Sequence, residues 1–155
     1  KDDSATKAVR KRLLQKHTLK AVISMPDDLF YPVGVVTCIM VFEANSPNKG
    51  KKTWFGYLKD DGFTKRKNKG RIDFHNRWKN IKSNFIQAYI NNEEVVGLSV
   101  KKEVNYDDEW CAEAYMQTDY STITSKDFEE VMKKYVIFKT IGLNDTNEGD
   151  EIEED

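Results

Sequence analysis

The chain has 155 residues, 39% of them hydrophobic, which is enough for one modest core and predicts one domain's worth of structure. No apolar run approaches the roughly 18 residues that a membrane span needs, and no signal-peptide core follows the charged N-terminus. The net charge of −1 conceals 19 Lys and Arg against 8 Asp and Glu in residues 1–82, and 6 against 18 in residues 83–155. This asymmetry indicates a basic face for a polyanion and an acidic part that avoids it or meets a protein, unless folding interleaves the two halves.

The first predicted elements belong to an α/β sheet. Residues 4–16 predict a helix, because apolar residues recur at three- and four-residue spacing after a serine that can cap it. Residues 19–25 (LKAVISM) predict a short buried strand, and residues 29–32 (LFYP) a tight aromatic connection after a Pro-Asp-Asp turn. Residues 34–42 (GVVTCIMVF) are apolar on both faces except at Thr37, which predicts a central strand covered by helices on both sides.

A strand, a basic loop and a helix are predicted next. Residues 53–59 (TWFGYLK) predict a strand that ends at an Asp-Asp-Gly turn, and residues 64–71 (TKRKNKGR) predict a polar, basic loop. Asp73 can cap the following helix, whose apolar stripe is typical of a packed face and consists of Trp78, Ile81, Phe85 and Tyr89.

The last part of the chain is less regular. Residues 97–105 predict a strand or an extended segment, and residues 107–117 are ambiguous, with a short helix as one possibility. Ser125 predicts the start of a final helix with acidic residues in its first turn. Residues 145–155 (DTNEGDEIEED) have too little apolar content to fold and predict a disordered acidic tail.

Three stretches together resemble a known family. They are residues 17–42 (HTLKAVISMPDDLFYPVGVVTCIMVF), residues 51–73 (KKTWFGYLKDDGFTKRKNKGRID) and residues 110–121 (WCAEAYMQTDYS). The order and the residues of these stretches resemble the N-6 adenine DNA methylase family, in particular the C-terminal part of the modification subunit of type I restriction–modification systems. The resemblance covers roughly residues 5–140, with residues 17–42 as its most specific part.

The resemblance implies a fold and a domain arrangement. Residues 1–44 would be the last helix and strands of a Rossmann-like α/β methyltransferase sheet, and residues 45–144 a mixed α+β extension before the tail. The whole protein would then be an adenine-specific DNA methyltransferase that uses S-adenosyl-L-methionine in the cytoplasm of a bacterium or archaeon. Its implied partners are DNA, a specificity subunit and a second modification subunit.

The two chemical motifs of that family are absent from this sequence. The eight glycines never occur at one- or two-residue spacing, whereas a methyl-donor site needs a glycine-rich turn after a strand. The three prolines, Pro26, Pro32 and Pro47, form no Pro-Pro pair, so the family's Pro-Pro-aromatic catalytic loop is missing. We therefore expect these 155 residues alone to be catalytically inactive.

Phe30 is the candidate for contact with a target base. Enzymes that modify a base extrude it from the stack and hold it against an aromatic or apolar surface. The resemblance places the family's base-stacking aromatic residue at Phe30, with Tyr31 beside it. The alternative is that Phe30 fills the sheet edge under the turn.

The basic loop is the candidate for contact with DNA phosphates. Cations on a loop give affinity and position without reading the sequence of bases. The alternative is a solvated surface loop, the commoner fate of such runs. The five candidate cations are Lys65, Arg66, Lys67, Lys69 and Arg71.

The remaining residues give no further site. Cys38 and Cys111 lack a CxxC spacing, and the sequence has only two histidines, His17 and His75. We therefore interpret the cysteines as packing residues rather than as a zinc site or a disulfide. The paired carboxylates lie at turns or helix starts, where capping explains them. The rival to the methyltransferase hypothesis is a separate interaction module that binds nucleic acid through the basic loop or a protein through the acidic half.

Overall fold

The computed structural model describes residues 4–117 and 123–144, which form two separate units. The first unit contains a mixed sheet with helices, and the second contains one helix. The helices are α1 (Ser4–Lys16), α2 (Trp78–Ile90) and α3 (Ser125–Asn144), with a short 3-10 turn at Ala112–Ala114. The strands are β1 (Thr18–Ser24), β2 (Cys38–Glu43), β3 (Lys52–Tyr57), β4 (Thr64–Arg66), β5 (Gly70–Ile72) and β6 (Ser99–Glu103).

The main sheet has four strands in the order β2-β1-β3-β6. β1 and β3 are parallel, with Val22 opposite Phe55 and Ser24 opposite Tyr57. β2 and β6 run antiparallel to their neighbours, and β4 and β5 form a separate antiparallel hairpin. Parallel neighbours end at the same edge of a sheet, so the segments after β1 and β3 begin side by side.

Both faces of the sheet carry a core. On one face Leu19, Val22 and Phe55 are completely buried and pack with Trp110 and with the apolar side of α1. The charged groups here are interleaved: Lys7 forms an ion pair with Asp107 at 3.1 Å, and residues 107–109 carry part of the acidic half. At α1, therefore, folding brings the basic and acidic halves of the sequence together.

The opposite face is covered by α2. Trp54 is buried there, and the centroid of its ring lies 5.7 Å from that of Phe85 and 5.3 Å from that of Tyr89. Its indole N–H donates to the backbone carbonyl of Glu93 at 2.9 Å. Asp73 holds the start of α2, because its carboxylate accepts the backbone N–H of Arg77 at 2.8 Å and that of Trp78, the first residue of the helix, at 2.9 Å. The predicted apolar stripe of this helix is confirmed, whereas the helix begins later than predicted, with Arg77 rather than Asp73 at its N-cap position.

The prediction for residues 34–42 was wrong in position and environment. In the described residues β2 begins at Cys38, pairs only with β1 and forms the edge of the sheet, with Ile39 50% exposed. Val35 and Val36, predicted to lie in the strand, precede it and are exposed. The error has a physical cause. Apolar side chains on both faces indicate that a strand can be buried, but they do not determine which strands or helices lie next to it.

The prediction of a loop at residues 64–71 was also wrong. These residues form most of the β4–β5 hairpin, which turns through residues 67–69 with Asn68 at φ 61° and Gly70 at φ 70°. Asparagine and glycine adopt this left-handed conformation at low cost, which suits a tight reversal. The two strands were not predicted because their side chains are mostly basic and polar and do not alternate between apolar and polar.

The other local predictions are confirmed where the structure describes them. The helix at residues 4–16, the strands near residues 19–25, 53–59 and 97–105, and the final helix from Ser125 are present. None of the described helices is long and apolar enough to cross a membrane. The predicted tail lies outside the described residues, and the boundary at residue 44 stays a prediction.

Candidate nucleic-acid interface

The carboxyl ends of β1 and β3 define the candidate site. β1 leads into residues 25–36, which we call the aromatic turn, and β3 leads into residues 58–63 and then the β4–β5 hairpin. In sheets with parallel strands, ligands bind outside the carboxyl ends of those strands. The two segments that were singled out separately in the sequence therefore start at the same edge.

The aromatic turn presents its two ring side chains to solvent. Backbone hydrogen bonds close it tightly, from Tyr31 N–H to the carbonyl of Asp28 at 3.1 Å and from Val33 N–H to that of Phe30 at 2.9 Å. Phe30 is 54% exposed and Tyr31 is 49% exposed. A residue that filled the sheet edge would be buried, so the exposure of Phe30 argues against that alternative, and its contact with a base stays a prediction.

The aromatic turn and the hairpin touch each other. The ammonium of Lys65 lies 3.5 Å from the Asp28 carboxylate and 5.4 Å from the centroid of the Tyr31 ring. The guanidinium of Arg71 lies 2.9 Å from the same carboxylate. The predicted base-contacting and phosphate-contacting segments thus form one continuous surface.

Arg71 has surroundings unlike those of the other hairpin cations. Its side chain is 11% exposed and forms ion pairs with Asp28 at 2.9 Å and with buried Asp61 at 2.7 Å. The guanidinium also lies 5.6 Å from the centroid of the Phe63 ring. Sequence reasoning assigned the aspartates to turns and missed these ion pairs, because the paired residues are distant in the chain.

The turn after β3 is held by carboxylates. Asp60 accepts the N–H of Gly62 at 2.7 Å and pairs with Arg77 at 2.6 Å. The pKa of Asp60 is lowered from its ordinary value of 3.8, chiefly by the Gly62 hydrogen bond and also by Arg77. The charged form of Asp60 is therefore favoured, which keeps this turn connected to the start of α2.

The remaining cations of the hairpin are accessible. Lys67 and Lys69 are exposed and form no ion pair with the residues that the structure describes. Arg66 is exposed and lies 4.8 Å from the centroid of the Phe74 ring, which is also exposed. Phe74 was not singled out in the sequence, since a lone aromatic beside a helix cap carries no motif.

The cysteines do not form a reactive site. Cys38 lies opposite Ser24, whose hydroxyl donates to Glu113 at 2.5 Å and accepts the N–H of Ala112 at 2.9 Å. Burial, and the charge of Glu113, raise the pKa of the Cys38 thiol, and burial is also the largest cause that raises the pKa of the Cys111 thiol. Cys38 is exposed and Cys111 is half-buried, and the raised pKa disfavours the nucleophilic thiolate form of each. Within residues 4–117 and 123–144, no cluster of three or more His, Cys, Asp or Glu could hold a metal.

The described residues do not fit a methyl-donor site. In the described sheet, the two parallel strands are followed by the aromatic turn and by an Asp-Asp-Gly turn, and neither is the glycine-rich turn that lets a helix start approach a cofactor. Among residues 4–117 and 123–144, therefore, neither of these turns has the form of a cradle for S-adenosyl-L-methionine.

Comparison with known proteins decides the family. A family model described as N-6 DNA Methylase matches residues 2–142, almost the whole chain. The chain belongs to the N-6 DNA methylase family. A curated relative, the type II restriction enzyme and methyltransferase RM.BcgI of Heyndrickxia coagulans, is 31% identical over 136 residues, which is 86% of this chain. The chain spans about a fifth of the length of that relative.

Solved structures support the same fold for this N-6 DNA methylase chain. The type I restriction–modification methyltransferase subunit from Streptococcus thermophilus matches with a TM-score of 0.51 and 19% identity, over 68% of this chain and 20% of that one. A structure from a study of complex assembly and conformational transition of the type I system matches with a TM-score of 0.53 and 20% identity, over 96% of this chain and 34% of that one. These matches establish similarity of fold, here a mixed α/β arrangement.

Proposed function

We propose that this chain is the C-terminal part of an adenine-specific DNA methyltransferase of a restriction–modification system, and that it contacts the target base and nearby phosphates. The supporting observation is that the exposed aromatic turn packs against the basic hairpin at the carboxyl ends of two parallel strands, through Lys65 and Asp28 at 3.5 Å. In this proposal the aromatic turn supplies the stacking surface, and the hairpin supplies cations for the phosphates of the same DNA strand.

The two segments have different roles in this proposal. Phe30 stacks on the extruded adenine, with Tyr31 beside it at the rim of the pocket. Lys67 and Lys69, with Arg66 and Lys65 next to them, contact phosphates and give affinity rather than sequence reading. Arg71 was predicted to contact phosphate as well, but its two ion pairs suit it better to holding the surface together.

The chemistry of the proposed enzyme comes from residues outside this chain. A donor motif and a catalytic Pro-Pro loop are absent from the sequence, so S-adenosyl-L-methionine would bind elsewhere in the whole protein. The sequence-reading role would lie with a specificity subunit, alongside a second modification subunit. A curated relative named as a type II restriction enzyme and methyltransferase supports a methyltransferase of a restriction–modification system. The two further subunits and the cytoplasmic location stay predictions.

A second role, contact with a protein, is favoured by α3. This helix lies in the acidic half of the sequence, and its apolar side chains are exposed in the unit formed by residues 123–144, among them Phe128, Val131, Met132 and Tyr135. An exposed apolar helix face is typical of an interface between subunits. It suits either the proposed enzyme complex or the rival hypothesis of an interaction module.

Replacing Phe30 tests the proposed function. In the full-length enzyme, Phe30→Ala should lower methylation of DNA about 5- to 150-fold, because base stacking on an aromatic ring contributes roughly 1–3 kcal/mol. Binding of S-adenosyl-L-methionine, measured by calorimetry, should not change. Val36→Ala, which removes an exposed apolar side chain from the same turn, is the matched control. Methylation by Phe30→Ala at the rate of the control would contradict the proposal.

A further inference from the structure

Asp28 connects the two halves of the candidate interface. One carboxylate oxygen lies 3.5 Å from Lys65 on β4, and the other lies 2.9 Å from Arg71 on β5. The Asp28 side chain is 24% exposed, so solvent competes only in part for these contacts. A single carboxylate therefore links the aromatic turn to both strands of the hairpin.

Arg71 is itself anchored from the other side. The same guanidinium nitrogen that meets Asp28 lies 2.7 Å from Asp61, and Asp61 accepts the backbone N–H of Phe63 at 3.0 Å. Asp61 follows β3 closely and is 5% exposed. The end of β3, Asp61, Arg71 and Asp28 form an unbroken series of contacts that leads to the aromatic turn.

The position of Asp28 transmits this anchoring to the aromatic rings. Its backbone carbonyl accepts the N–H of Tyr31 at 3.1 Å, and Phe30 lies between these two residues. Arg71 donates a charge-assisted hydrogen bond of 2.7 Å to Asp61, and such bonds are directional as well as strong. The ion pair between Arg71 and Asp28, at 2.9 Å, attaches the aromatic turn to this fixed guanidinium. Because buried ion pairs often add little to net stability, the contribution of these contacts lies in orientation rather than in stability.

We propose that Asp28 is a positioning residue that acts through Arg71 and holds Phe30 and Tyr31 at a set distance from the phosphate-contacting cations of the hairpin. With this link intact, a DNA strand held by Lys67 and Lys69 presents its extruded base to the Phe30 ring. This inference rests on the proposed function and adds to it the residues that align its two contacts.

The test separates base extrusion from DNA binding. The probe is a duplex with 2-aminopurine at the target adenine, whose fluorescence rises when the base leaves the stack. In the full-length enzyme, Asp28→Asn keeps the side chain's shape but removes its charge. It should lower the fluorescence rise and kcat about tenfold, which corresponds to roughly 1.4 kcal/mol, while the Kd for the duplex stays within about twofold. Asp28→Glu should restore part of the signal, and Asp27→Asn, at an exposed neighbouring carboxylate, should behave like the wild type.

The possible outcomes distinguish this inference from the function on which it rests. A normal fluorescence rise in Asp28→Asn, together with a reduced rise in Phe30→Ala, would overturn the positioning role and leave the proposed function standing. Equal loss of DNA binding and of base extrusion in Asp28→Asn would also overturn it, because the residue would then be a general structural support. Normal methylation by Phe30→Ala would instead reject the proposed function itself.

Discussion

The five cations at residues 65–71 have different surroundings, although the sequence presents them as one run. Arg71 is mostly shielded from solvent and lies between two aspartates, whereas Lys67 and Lys69 at the tip of the hairpin are exposed. Only a cation without a nearby carboxylate can neutralise a phosphate at little cost, because an existing ion pair must first be broken. We therefore expect the tip lysines to contribute most to DNA affinity.

The salt dependence of DNA binding tests this expectation. Lys67→Gln combined with Lys69→Gln should make the slope of log Kobs against log salt concentration about 2 units less steep, since each neutralised phosphate contributes roughly 0.9. The measurement is a series of binding titrations between low and physiological salt with the full-length enzyme. Lys79→Gln with Lys82→Gln, on the exposed side of α2, serves as the control and should keep the original slope. An unchanged slope in the hairpin variant would mean that the tip is a solvated surface.

Among the secondary-structure elements, β2 has the environment least suited to its composition. Its side chains are apolar on both faces, yet it lies at the edge of the described sheet, and Ile39 and Met40 are exposed. An open, apolar edge strand is a template for pairing with another strand. In the proposed full-length enzyme that partner would be a further strand of the catalytic sheet.

The chain taken alone should therefore self-associate through β2. Ile39→Lys should shift the 155-residue chain towards monomer, because edge lysines oppose strand pairing between molecules. Sedimentation or light scattering over a range of concentrations measures the change. Ile86→Lys is a matched control, since Ile86 on α2 is 46% exposed and Ile39 is 50% exposed. A wild-type chain that stays monomeric at high concentration would favour the rival interaction module.

At the scale of the first unit, residues 4–117, the structure depends on a sheet with a packed core on each face. Phe55 and Trp54 are neighbours in β3 but point into opposite cores. Gly56 lies under the second core, where an added Cβ would overlap the Trp54 ring and lie 2.8 Å from the Phe85 ring. The close approach of α2 to the sheet depends on this missing side chain.

Gly56→Ala should consequently destabilise the unit by about 1–3 kcal/mol, the usual cost of overpacking a core. Urea unfolding monitored by tryptophan fluorescence would measure the loss, since Trp54 lies at the affected position. Gly34→Ala offers a control, because no atom lies within 4 Å of the corresponding added Cβ. Equal stability of the two variants would show that Trp54 and Phe85 repack without cost.

Much of this protein follows from local sequence. The apolar spacing of Trp78, Ile81 and Phe85 is sufficient to predict α2, and Asp73 accepts backbone N–H groups at its start, although the N-cap position belongs to Arg77. The order of motifs in residues 17–42 is sufficient to predict the family, which the match over residues 2–142 confirms. Helix periodicity, capping and family motifs are readable because they depend on residues that are close together in the chain.

The tertiary structure decided the points that depend on distant residues. The partner of Arg71, the edge position of β2 and the contact between Lys65 and Asp28 all join segments separated in the sequence. The sequence of a run of cations is the same whether its members form ion pairs or not. Likewise, an apolar strand has the same sequence pattern at the centre of a sheet as at its edge. Charge pairing and strand order are set by which surfaces meet when the chain folds, so the sequence could predict the candidate residues but not their arrangement.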